Sequence, residues 1–208
     1  MAEVKILTKN EYLVGHLNED VQPLVDMVLE KYHEGKKFYE HCPFSDPEDR
    51  AIALDFSTQI QSIADQLIAE WKKAFDQDIV LCKPMHDPNV RKGHAYEIWG
   101  IVNEHNQGLQ KHTHESKNNY ELGAHVAATF AIKVPENSGN FIFHVDQNPY
   151  IPKNVIEKPE VNKFIMFDAT TPHFVTANQS DELRMIISMN FRFEKGTSVF
   201  QQGHSDQN

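Results

Sequence analysis

Between Pro47 and Phe75 the apolar residues Ile52, Phe56, Ile60, Ile63, Leu67, Ile68, Trp71 and Phe75 fall on one stripe, with Asp, Gln and Lys opposite. That period predicts an amphipathic helix over 47–75, with Ser45 or Asp46 as its cap and Pro47 in its first turn. A shorter stripe of Leu24, Val25, Val28 and Leu29 predicts an earlier helix. Its start lies in Asn18–Pro23, with Asn18 or Asp20 as cap, and Gly35 closes it. Val4 to Leu7 fits a short strand, and His41 to Pro47 a loop.

Past Asp76 the period changes from helical to alternating. Strands are predicted at Ile79–Lys83, Tyr96–Asn103, Gln110–Glu115, Gly123–Val134, Asn140–Asp146, Asn162–Asp168, Phe174–Ala177 and Leu183–Phe193, with a polar loop from Pro84 to Gly93. About eight strands following helices predict a mainly β fold with N-terminal helices outside, and the jelly roll is the double-sheet solution for that strand number. The expected organisation is one domain over 1–195. Its helical part covers about 18–76, its jelly roll about 79–193, and 196–208 is a disordered tail.

Composition narrows the partners more than the fold. The 208 residues carry 30 acidic against 20 basic side chains, a formal charge of −10. Such a surface is repelled by phosphate backbones and anionic lipid, which argues against nucleic acid and membrane as partners. No window approaches the 18 apolar residues of a membrane span, and the N-terminus lacks the apolar core of a signal peptide. Cys42 and Cys82 are the only cysteines and form no CxxC pair. Two free thiols in a soluble, cytoplasmic protein are the expectation.

The candidate chemistry centres on Gln110-Lys-His-Thr-His-Glu115. Strand side chains alternate, so His112 and His114 point the same way, roughly 6.5–7 Å apart along the backbone. Two imidazoles so placed can converge on one metal ion, and facial non-haem iron sites add a third ligand from far along the chain. Thr-Pro-His173 offers that third ligand. Arg184 follows eleven residues later inside Leu-Arg-Met-Ile-Ile, where a buried cation needs a carboxylate partner. Ser188 and Asn190 share its strand face, so either can donate a hydrogen bond nearby. His125 and Thr129 lie on one face of their strand and line the interior if that face is the inner one. His94, His105 and His144 fit loop histidines.

In order, His112-x-His114, Pro135-x-x-Ser138-Gly139, the apolar run Lys163–Asp168, His173 and Arg184 resemble the 2-oxoglutarate and iron(II)-dependent oxygenases, over about Tyr96 to Phe193. The small prolyl-hydroxylase-like members are the nearest match. The resemblance implies a double-stranded β-helix of cupin-like type holding Fe(II) at its open end. It also implies oxidative decarboxylation of 2-oxoglutarate by O2, coupled to hydroxylation of a small-molecule or peptidyl substrate. His112 matches the first ligand and His173 the distal one. Arg184 matches the clamp for the far carboxylate of 2-oxoglutarate, and Asn103 a position facing that cosubstrate, with Ser188 beside them.

The departure from the family pattern is at 114, where most members carry Asp or Glu. His114 is then the third ligand, or it stands behind the site and Glu115 or His125 takes its place. A regular strand turns Glu115 away and favours His114. A second reading of the same residues is a cupin-like protein that binds a metal or a small acid without turning over 2-oxoglutarate. Arg184 is required by the first reading and optional in the second.

Overall fold

The computed structural model describes residues 2–7, 10–39, 51–54, 57–82, 98–114, 124–145 and 154–194. Its strands are β1 (Glu3–Leu7), β2 (Asn10–His16), β3 (Ala51–Ala53), β4 (Ile79–Leu81), β5 (Ile98–Asn103), β6 (Leu109–His112), β7 (Val126–Lys133), β8 (Phe141–His144), β9 (Asn154–Glu157), β10 (Lys163–Asp168), β11 (His173–Val175) and β12 (Arg184–Phe193). Helix α1 (Gln22–Tyr39) follows β2, and α2 (Thr58–Phe75) follows β3. The larger sheet runs β1-β2-β10-β7-β12-β5-β3, with β4 also paired to β12. The smaller runs β6-β11-β8-β9. Every pairing is antiparallel.

The two sheets pack face to face. Tyr12, Val14, Ala127, Ile165 and Phe167 of the larger sheet form one apolar cluster with Phe141, Phe143 and Val175 of the smaller. The other face of the larger sheet carries Leu13, Ala128, Phe130, Phe164, Met166, Met185, Ile187, Met189 and Phe191. Those side chains meet Leu24, Val25 and Val28 of α1 and Ile60, Ile63, Leu67 and Trp71 of α2. A central strand covered on both sides must be apolar on both faces. That is why Arg184, Ser188 and Asn190 stand out on β12: they interrupt the face turned toward the smaller sheet.

Helix α2 begins later than its periodicity predicts. Ser57 caps it, accepting the Ile60 N–H at 3.2 Å, and Asp76 closes it in the left-handed region at φ 53°. Ile52, which extends the helical stripe, lies instead in β3 and pairs with Gly100 of β5. An apolar residue eight positions before Ile60 suits either element, and the open edge of β5 decides in favour of strand. The proposed caps at Ser45 and Asp46, the loops at 41–47 and 84–93, and the tail at 196–208 lie outside the described residues. Gly35 does not end α1, which continues to Tyr39. Its start is marked by Asp20, whose carboxylate accepts the Gln22 N–H at 3.2 Å.

Besides β3, two more strands were not anticipated. β2 carries a continuous Tyr-Leu-Val run, because Tyr12 and Val14 face the smaller sheet while Leu13 faces the helices. β9 is a short edge strand with Asn154 and Ile156 exposed, held by pairing to β8. Among the described residues, no helix is long and apolar enough to cross a membrane.

Candidate metal centre

The three histidines come together at one end of the space between the sheets. His112 closes β6 directly opposite His173 on β11, and their ring centroids lie 4.3 Å apart. His114 has left the strand, which ends earlier than Glu115. Its N–H reaches across to Ala169 O at 2.8 Å, tying it to the end of β10. Its ring still stacks on His112 at 5.2 Å and sits 5.0 Å from His173. Their candidate ligand nitrogens all lie within 4.8 Å of one another. Among the described residues this is the one group of three or more such side chains.

Each ring meets a protein oxygen through Nδ1. His112 Nδ1 faces Gln110 O at 2.8 Å, His173 Nδ1 faces Thr171 O at 3.0 Å, and His114 Nδ1 faces Asn190 Oδ1 at 2.8 Å. All three partners are oxygens that only accept, so each Nδ1 carries the proton and donates. In that tautomer Nε2 carries the lone pair, the form in which imidazole binds a metal. Burial, with smaller contributions from the neighbouring rings, holds His173 well below its ordinary pKa. Burial pulls His114 down to about 4, with His112 adding to the fall and the Asn190 bond opposing it. Both stay neutral at pH 7.

The walls are apolar. Phe141 stacks on His173 at 5.1 Å, Phe167 meets it edge-on at 4.7 Å, and Trp99 lies 5.4 Å from His114. His125, the alternative ligand, is not part of the group. Its Nδ1 accepts the Phe193 N–H at 3.0 Å and its ring stacks on Phe193. Glu115 and His94 lie outside the described residues. His105 and His144 face loop or strand-end partners, Ser180 O and Asn154 Oδ1, each at 3.3 Å.

Arg184 opens β12 opposite Asn103 of β5, on the strand face that Ile186, Ser188 and Asn190 continue toward His114. It is only 2% exposed, the largest of the fully buried side chains. Its Nε and Nη1 are buried with no hydrogen-bond partner among the described residues. Burial pulls its pKa down to about 10, so it remains a cation at pH 7. Ser188, also buried, sits between Trp99 of β5 and Thr129 of β7. Thr129 therefore does belong to the inner face. Asn103 is 2% exposed, and its carbonyl accepts from the Asn178 side chain at 3.0 Å.

Asn190 was expected only as a donor near Arg184. It is in fact the acceptor for His114, 76 residues away. Its signal in the sequence is a polar residue in the Arg184 register of an otherwise apolar strand.

No protein-family model matches the sequence, and no curated protein matches it. Solved structures of similar fold include non-haem alpha-ketoglutarate-dependent enzymes and a prolyl-4-hydroxylase. One is the non-haem alpha-ketoglutarate-dependent carbocyclase SnoK from nogalamycin biosynthesis, 12% identical over 88% of this chain and 79% of that one, TM-score 0.56. A second is the epimerase SnoN in complex with Fe3+, alpha ketoglutarate and nogalamycin RO, 13% identical over 95% and 86%, TM-score 0.51. A third is a Pseudomonas putida prolyl-4-hydroxylase, 11% identical over 90% and 94%, TM-score 0.50. At these identities the likeness is one of fold.

Proposed function

We propose that the protein is an Fe(II)- and 2-oxoglutarate-dependent oxygenase, built on a double-stranded β-helix jelly roll, that hydroxylates a C–H bond of a small-molecule or peptidyl substrate. The observation that carries this reading is Arg184. A guanidinium this deeply buried, its Nε and Nη1 without a hydrogen-bond partner among the described residues, is costly, and a ligand carboxylate would relieve it. Arg184 lies on the same inner face as the residue that holds His114. A molecule with one end for a metal and a carboxylate at the other fits that arrangement, and 2-oxoglutarate is such a molecule.

His112, His114 and His173 would hold the iron through Nε2. When bound there with 2-oxoglutarate and O2, iron supplies the oxidative decarboxylation that drives hydroxylation, with succinate and CO2 as co-products. The planar fork of Arg184 would take the far carboxylate in a bidentate pair, with Asn103 and Ser188 as neighbouring polar groups. Trp99 beside His114, and Phe141 and Phe167 beside His173, shield those two rings from water and lower the local dielectric, which strengthens each charge contact. Three neutral imidazoles leave the full charge of a divalent ion to the incoming dianion. The acidic chain favours a soluble protein acting away from nucleic acid and membrane.

Anaerobic addition of Fe(II) and 2-oxoglutarate should give a weak visible charge-transfer band, and admitting O2 should yield succinate. Arg184→Ala should raise the 2-oxoglutarate concentration at half-saturation about ten- to a hundredfold and leave iron affinity nearly unchanged. A wild type that binds iron but neither 2-oxoglutarate nor O2-dependently forms succinate is a cupin-like binding protein instead.

A further inference from the structure

His112 and His173 are oriented by their own strands: each donates Nδ1–H to the backbone carbonyl two residues earlier, Gln110 and Thr171. Any residue at 110 or 171 would supply that oxygen. His114 lacks such an anchor. It lies past the end of β6, and its ring is held by a side chain from another strand. We propose that Asn190 is the positioning residue of the third ligand. Its amide oxygen fixes His114 in the tautomer and ring orientation that presents Nε2 to the metal. This rests on the metal reading above.

The backbone fixes Asn190 in turn. Its carbonyl accepts the Cys82 N–H at 2.9 Å, and it faces Ala127 of β7 in the ladder. Its neighbours Met189 and Phe191 are both fully buried on the opposite face, so the strand can neither slip nor rotate without breaking the core. The amide has two ends of opposite sense. With Oδ1 toward the ring, His114 Nδ1 carries the proton and Nε2 is open. With Nδ2 toward the ring, Nδ1 would have to accept, the proton would move to Nε2, and the ligand atom would be blocked. A side chain without an acceptor leaves both tautomers and other ring rotations available. An acceptor of similar shape preserves the arrangement.

The test is metal affinity of the full chain, measured with Co(II) by chelator competition and followed by the visible d–d spectrum. Asn190→Ala should weaken binding about ten- to a hundredfold and alter the spectrum. Asn190→Asp, which keeps an oxygen at the same reach, should restore both. In a His114→Ala background, Asn190→Ala should have little further effect, since its action passes through that ring. Wild-type affinity and spectrum in Asn190→Ala, or an equal loss in the His114→Ala background, overturn the proposal. If Asn190→Ala does not fold, Asn190→Asp decides alone, and failure to hold Co(II) overturns it. A wild type that takes up no Co(II) overturns the metal reading as well, whereas metal binding indifferent to Asn190 overturns only this step.

Discussion

Among the described residues two long cations are buried, Lys163 and Arg184, at 8% and 2% exposure, and their surroundings are opposite. Lys163 Nζ donates to Glu157 Oε2 at 2.8 Å and to Lys158 O at 2.7 Å. The other oxygen of Glu157 accepts from Tyr12 OH at 2.7 Å. The clasp joins β2 and β10 of the larger sheet to β9 at the edge of the smaller. Burial first, then Glu157, hold the Tyr12 phenol protonated well above its ordinary range. Arg184 has no such company: among the described residues nothing meets its Nε or Nη1. On the proposed reading, the charge whose partners are built in serves the fold, and the one left open among the described residues is kept for a ligand.

The largest effect should come from breaking the satisfied side. Glu157→Ala would leave the Lys163 ammonium and the Tyr12 hydroxyl buried without their acceptor. Removing one partner of a buried ion pair costs about 3–5 kcal/mol, so urea midpoints should fall steeply. Metal affinity in the folded fraction should be unchanged. A loss below about 1 kcal/mol, the range of exposed pairs, would mean that the clasp opens to water and that the contrast with Arg184 is illusory.

Acid should act on the other side. His114 and His173 have folded-state pKa values below the ordinary 6.5. Below about 6.5 the unfolded chain therefore takes up protons that the folded chain refuses, and stability falls with falling pH. The sign is that of a buried neutral base: the contribution is whole above 6.5 and lost on the way down, to about 4 for His114. The apoprotein should show an unfolding slope gaining up to about two protons across that window. Bound Co(II) or Zn(II) should add stability that itself fades as protons compete for Nε2. Apoprotein stability flat from pH 7 to 5 would show that the rings are solvated.

Much of this was legible because it is local. His-x-His followed by the apolar run into Thr-Pro-His173, and Arg184 within Leu-Arg-Met-Ile-Ile, each stand inside a few residues whose alternation sets their direction. The pairing of β6 with β11 then makes His112 and His173 neighbours. What stayed hidden depends on partners far away in sequence. Tyr12 meets Glu157 across 145 residues and His114 meets Asn190 across 76. No spacing rule encodes either contact. The 47–75 helix was overextended for the same reason: helical spacing back to Ile52 is a one-dimensional signal, and the free edge of β5 that captures β3 is not.

The smallest effect should have the opposite sign and be the most telling. Arg184→Met keeps a long, flexible side chain in the same space and removes a buried charge whose Nε and Nη1 have no partner among the described residues. Replacing buried charge with apolar volume is commonly neutral or stabilising, so the ligand-free variant should match or exceed the wild type by about 1 kcal/mol. Lys163→Met, by contrast, strands Glu157 and should destabilise. Adding ligand should reverse the order for Arg184. Fe(II) with 2-oxoglutarate at about a hundred times its Kd should stabilise the wild type by about 2.7 kcal/mol, kept anaerobic to prevent turnover, while Arg184→Met should gain little beyond the contribution of iron. Thermal unfolding of both variants, with and without 2-oxoglutarate, separates the cases. If Arg184→Met is as damaging as Lys163→Met in the absence of ligand, the guanidinium is a structural charge with a partner within the protein, and the two cations are alike after all.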